Sequence, residues 1–134
     1  MTAIKFYRIA HALYLKHIPL LPKFFYRLIY FVNNCHVHYA TEIGEGTTIA
    51  YGGVAVVIHK NATIGKNCVI ESNVTIGGRN NIPAAPVIGD NVFIGTGARI
   101  LGNVHVGSGS IIGANAVVLH DVPERCSVAG VPAK

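Results

Sequence analysis

"IGTGARILGNVHVGSGSIIGANAVV", residues 94–118, places an aliphatic side chain at every sixth position: Ile94, Ile100, Val106, Ile112 and Val118. An α-helix repeats every 3.6 residues and a sheet strand every two. A period of six fits neither over a long run, but it fits a short strand and a tight turn, repeated. Working back toward the N-terminus, the same step passes through Ile88, Ile82, Ile76, Ile70 and Ile64 to Ile58. Four residues after most of these comes a small or β-branched residue: Ala62, Cys68, Val74, Val92, Ala98, Val104, Ser110, Ala116 and Val122. Glycine often follows directly, as at Gly65, Gly77, Gly89, Gly95, Gly107 and Gly113. Three units make one triangular coil of about 18 residues, with coils stacked about 4.8 Å apart. The repeat aliphatics point inward, and the small residues share the narrow interior. The expected fold is an all-β solenoid, a parallel β-helix of six-residue repeats over residues 35–134.

Residues 1–34 differ. Two helices are expected, Ile4 to His17 and Lys23 to Val32, separated by "IPLLP" at residues 18–22, because proline disfavours helix continuation. Phe24, Phe25, Leu28, Ile29 and Val32 fall at helical spacing and form one apolar stripe. The stripe suits packing on a neighbouring element or subunit, or resting on an anionic membrane as a peripheral contact. The net charge of +5 belongs to this segment: it holds Lys5, Arg8, Lys16, Lys23 and Arg27 and no acid, whereas residues 35–134 hold six basic and six acidic residues. A nucleic-acid surface on the main body is therefore not expected. Cys35, Cys68 and Cys126 are odd in number and lack metal-like spacing, which suits a reducing, cytoplasmic compartment. No secretory pattern is visible, and no apolar run reaches the roughly 18 residues a membrane span needs.

The repeat is broken once near its start. Ile43 and Ile49 keep the six-residue step, but the next in-phase residue, Ile58, comes nine later. The stretch "AYGGVAVVIHK", residues 50–60, therefore holds three extra residues, and Gly52 and Gly53 let the chain leave and rejoin the coil. A bulge on a rigid scaffold is a favoured place for function.

"IGKNCVIESNVTIGG", "VFIGTGARILGNVHVGSGSIIGANAVV" and the closing "VAGVPAK" resemble the hexapeptide-repeat acyltransferases, and within them the serine acetyltransferases and their short sugar-acetylating relatives. The likeness covers about residues 35–134. It implies a left-handed β-helix, a homotrimer with sites between subunits, and acetyl transfer from acetyl-CoA, a co-substrate, to a hydroxyl of serine or of a sugar in polysaccharide biosynthesis. No metal is expected. By that resemblance Thr96 and Ala114 border the coenzyme groove, joined by Gly78, Ala98 and Ala116; His120 lies near its nucleotide end and Lys134 near the 3′-phosphate. The family's catalytic histidine falls in the bulge, at Tyr51 here. Its aspartate partner matches His36, and a further family histidine matches Ala85.

Attack of a hydroxyl on a thioester needs a base, and imidazole titrates near neutrality. Adding 18 to His59 stacks it above Gly77, Gly95 and Gly113, and the adjoining column reads Lys60, Gly78, Thr96 and Ala114. On that register His59 shares the edge of the coenzyme groove. His59 is thus the first candidate base, with His36 or His38 from the neighbouring coil as alternatives and Tyr51 orienting the acceptor. His11, His17 and His105 carry no expected role. The loop "GGRNNIPAAP", residues 77–86, is the second irregular feature; Arg79, Asn80 and Asn81 are positioned to bind a hydroxylated acceptor. Three rivals stay open: a non-catalytic scaffold that has lost the dyad, a zinc site at His36, His38 and His59 short of a fourth ligand, and a carbonic-anhydrase-like β-helix, which lacks its coil histidines.

Overall fold

Each inward aliphatic of the repeat sits beside its counterpart one coil away, and this pairing builds three parallel sheets. A computed structural model describes residues 2–134; Met1, the first residue of the expected helical segment, lies outside the described residues. The first sheet runs β1 (His36–Val37), β4 (Val57–Ile58), β7 (Thr75–Gly77), β10 (Arg99–Leu101), β13 (Val117–Val118). The second runs β2 (Glu42–Ile43), β5 (Thr63–Ile64), β8 (Val87–Ile88), β11 (His105–Val106). The third runs β3 (Thr48–Ile49), β6 (Val69–Ile70), β9 (Phe93–Ile94), β12 (Ile111–Ile112), β14 (Ser127–Val128). Every pairing between these strands is parallel, and the solenoid is the expected left-handed β-helix. The core is the expected one: Ile64, Ile70, Ile76, Ile88, Ile94, Ile100 and Ile112 are buried, and Val74, Ala98, Ser110 and Ala116 fill the spaces between them.

One repeat residue behaves otherwise. Ile58 stacks on Ile76, 18 positions on, but Ile76 stacks on Ile100, 24 positions on. The six extra residues leave the prism as a loop between β7 and β8. Ile82 is in phase by count only: it is half-buried in that loop and bridges antiparallel to Arg79. Pro83 and Pro86, with Asn81 at φ 63°, keep the segment from forming a coil strand.

The helices are α1 (Ala3–Leu15) and α2 (Leu21–Asn33). Pro22 lies inside the first turn of α2 instead of ending a break, because the N–H it lacks has no helical partner there. α1 covers the open first coil, whose upper carbonyls have no strand above them. The buried Tyr7 hydroxyl donates to Thr41 O, and Arg8 donates to Ile43 O and Gly44 O at 2.5 Å each. Burial raises the Tyr7 pKa to about 12. The apolar stripe of α2 is divided: Ile29 is buried, whereas Phe24 and Val32 are each 57% exposed. Among the described residues no helix is long and apolar enough to cross a membrane, and no group of three His, Cys, Asp or Glu side chains could hold a metal ion.

Candidate functional site

The break in the repeat is a tight turn at Ala50–Gly53, with Tyr51 at φ 52°, Gly52 at 68° and Gly53 at 88°, all in left-handed conformations. A side chain at Gly53 would come within 3.1 Å of both Ala3 Cβ and Cys35 Sγ, so glycine lets α1 close on the bulge. Tyr51 holds a left-handed conformation that costs a non-glycine residue about 1 kcal/mol or more, and it is 75% exposed. Beside the bulge, Asn33 Oδ1 is buried without a hydrogen-bond partner in the structure.

Two edges of the prism carry the remaining candidates. Along the edge between the third and first sheets, backbone hydrogen bonds link Asn73 to Val54, Gly97 to Ser72 and Asn115 to Thr96. The bulge with Tyr51 therefore heads a column that continues through exposed Thr96 and Ala114. Lys134 closes this edge below, exchanging backbone hydrogen bonds with Ala129, which follows β14. The edge between the first and second sheets carries His38, His59, Lys60, Gly78, Arg79, Asn80, Asn81 and His120. Gly102 N bonds Gly77 O there, and a side chain at Gly78 would meet His59 Cδ2 at 3.9 Å.

The register corrects the expected stacking of His59. It lies above Gly77, as the count of 18 requires, but beneath Gly77 stands Leu101, not Gly95. The inserted loop shifts the count by six, and six residues move a position round to the next edge. Thr96 and Ala114 are thus one edge away from His59. Ala98 and Ala116 are fully buried in the prism, so their side chains have no access to a bound cofactor.

The imidazoles differ in which nitrogen is free. His59 Nδ1 accepts the Asn61 backbone N–H at 3.0 Å, and His38 Nδ1 accepts that of Ala40 at 3.0 Å. In the neutral ring the proton then sits on Nε2, so each presents a donor outward and has no free lone pair. His38 is further discouraged from protonation, first by burial, then by Lys60 and His59, which lower its pKa. His36 is exposed on the outer face of β1, and its Nδ1 lies 3.0 Å from the Tyr26 hydroxyl. When Nδ1–H donates to that oxygen, Nε2 is left as a free acceptor. Tyr26 also sits 5.3 Å from the His38 ring and 6.3 Å from that of Tyr39. Tyr26 and Asn33 were not apparent from the repeat, because both lie on α2, outside its periodicity.

Family models match in two places: bacterial transferase hexapeptide (six repeats) over residues 85–120, and hexapeptide repeat of succinyl-transferase over residues 41–78. A serine acetyltransferase of Synechococcus elongatus is 36% identical over 98% of this chain and 54% of its own length. The chain belongs to the hexapeptide-repeat acyltransferases. Among solved structures of these acyltransferases, the Neisseria gonorrhoeae serine acetyltransferase in complex with serine is 39% identical, with a TM-score of 0.91 over 98% of this chain and 54% of that one. The Brucella abortus serine acetyltransferase in complex with coenzyme A is 34% identical, with a TM-score of 0.92 over 98% and 53%. The chain spans about half the length of the curated relative it matches.

Proposed function

We propose that this chain is an acetyl-CoA-dependent O-acetyltransferase acting on the hydroxyl of serine or of a sugar in polysaccharide assembly. The observation that carries the reading is the match to serine acetyltransferases along nearly the whole chain, including structures solved with serine and with coenzyme A. The edge headed by Tyr51 supports a coenzyme groove. Four coil steps separate Tyr51 from the last coil, about 19 Å at 4.8 Å per step, which suits an extended pantetheine arm with its phosphates toward Lys134.

In this mechanism the acceptor oxygen attacks the thioester carbonyl carbon while His36 Nε2 takes its proton. The carbon–sulfur bond then breaks, and the thiolate leaves as coenzyme A with the proton returned by His36. Tyr26 orients His36, and Tyr51 orients the acceptor. His59 and His120 contribute N–H donors, and Arg79, Asn80 and Asn81 line the acceptor side with Gly78. The two edges of one prism face different directions, so we further propose a homotrimer in which the Tyr51 edge of one subunit meets the His59 edge of the next. The three free cysteines favour a reducing, cytoplasmic setting. Light scattering and calorimetric titration with acetyl-CoA test the assembly together: a trimer binding one acetyl-CoA per subunit is expected, and a stable monomer that binds none overturns the reading.

A further inference from the structure

We infer that the exposed face of α2 docks on the surface of an anionic lipid bilayer. The face is built from Leu20, 77% exposed, with Phe24 at 57% and Phe31 at 80%. At 100° per residue Phe24 and Phe31 fall about 20° apart in one sector of α2, extended by Leu21 and Val32, 46% and 57% exposed, while Leu20 flanks the start of the helix. Lys23 and Arg27, both exposed, lie along one border of that sector. Large aromatic and aliphatic groups bordered by cations are what an interfacial helix presents, its apolar side sinking about 5–10 Å into the headgroup region.

Charge decides between a bilayer and a second copy of this chain. Residues 1–34 carry five basic residues and no acid. Two such faces brought together would oppose cation to cation with no carboxylate between them, at a cost that rises as water is excluded. Anionic headgroups supply the missing charge. A shallow cleft of about 240 Å³ is lined by Leu20, Lys23, Phe24 and Arg27, which brings together the two cations and the apolar groups that such a headgroup needs. The same two cations border a second cleft of about 330 Å³, lined also by Tyr26, His38 and Tyr39. The docked face therefore adjoins the imidazole cluster, so an acceptor carried on a lipid would arrive beside it.

Vesicle co-sedimentation of the full chain tests this without reference to acetyl transfer. Vesicles of equimolar phosphatidylglycerol and phosphatidylcholine should bind at least tenfold more tightly than phosphatidylcholine alone, and less so as salt is raised. The Lys23→Gln/Arg27→Gln pair should weaken binding about 25-fold, at about fivefold per cation removed. Phe24→Ser/Phe31→Ser should weaken it about tenfold or more, with the melting temperature and oligomeric mass unchanged. Equal binding to neutral vesicles, absence of binding, or variants that bind like the parent each overturn the proposal. So does a phenylalanine variant that changes the oligomeric mass but not vesicle binding, which would make the face a contact between copies.

Discussion

Tyr26 and His36 are joined by a 3.0 Å hydrogen bond between the phenol oxygen and Nδ1, across the junction of α2 and the first coil. The bond fixes one face of the imidazole and leaves Nε2 outward. His36→Ala should lower turnover by about 10²–10⁴, the usual worth of a general base. Tyr26→Phe should cost about 5- to 10-fold in turnover with little change in the Michaelis constant for acetyl-CoA, since one neutral hydrogen bond is lost. His59→Ala distinguishes the two imidazoles. If His59→Ala lowers turnover by that factor while His36→Ala leaves it near normal, the proton acceptor is on the other edge.

The coil contacts predict which glycines are structural. A side chain at Gly65 would meet Gly89 O at 2.5 Å and Gly89 C at 2.6 Å, both backbone. Gly65→Ala must separate two coils and should destabilise the fold by about 1–3 kcal/mol. At Gly78 the nearest atom would be 3.9 Å away, so Gly78→Ala should change stability by only about 0.5 kcal/mol. Denaturant midpoints compare the two directly. Equal losses would show that the coil spacing is not fixed by backbone contact.

The solenoid was legible because Ile58 to Val118 repeat one unit whose inward position cannot be polar. What the count missed was Ile82, since an insertion of six residues preserves the phase of a six-residue repeat. The error then carried to His59, which the same insertion moves one edge away from Thr96. The bulge at Tyr51 was visible, because three extra residues break the phase. The tautomers of His38 and His59 depend on the backbone N–H groups of Ala40 and Asn61, which no pattern of residue types reveals. Tyr26 is brought to His36 by the packing of α2, and that is a tertiary contact.

His38 gives a pH dependence to stability. Its pKa is lowered in the folded protein, so as pH falls through about 6.5 the unfolded chain takes up a proton that the folded chain refuses. The fold should therefore lose stability from about pH 6.5 downward, until His38 is protonated in the folded state as well. His38→Asn, which keeps an acceptor for the Ala40 N–H, should show a shallower fall in melting temperature between pH 7 and pH 5. An identical slope in both proteins would remove His38 as the cause.

The cysteines should separate by burial. Burial pushes the Cys35 thiol up to about 11 and raises that of Cys68, whose Sγ also donates to Gly89 O at 3.1 Å. Cys126 is half-exposed. Iodoacetamide at pH 8 should modify the native protein at Cys126 alone and the denatured protein at all three sites. Rapid native modification of Cys35 would show that the contact between α1 and the bulge opens.

Release of free coenzyme A thiol from acetyl-CoA, followed with serine and with a panel of sugars, tests the central claim most directly. The account predicts acceptor-dependent thiol release with at least one of these hydroxyl compounds, reduced by His36→Ala. Tight binding of acetyl-CoA with no thiol release from any acceptor would contradict it and leave a β-helix that binds the coenzyme without transferring its acetyl group.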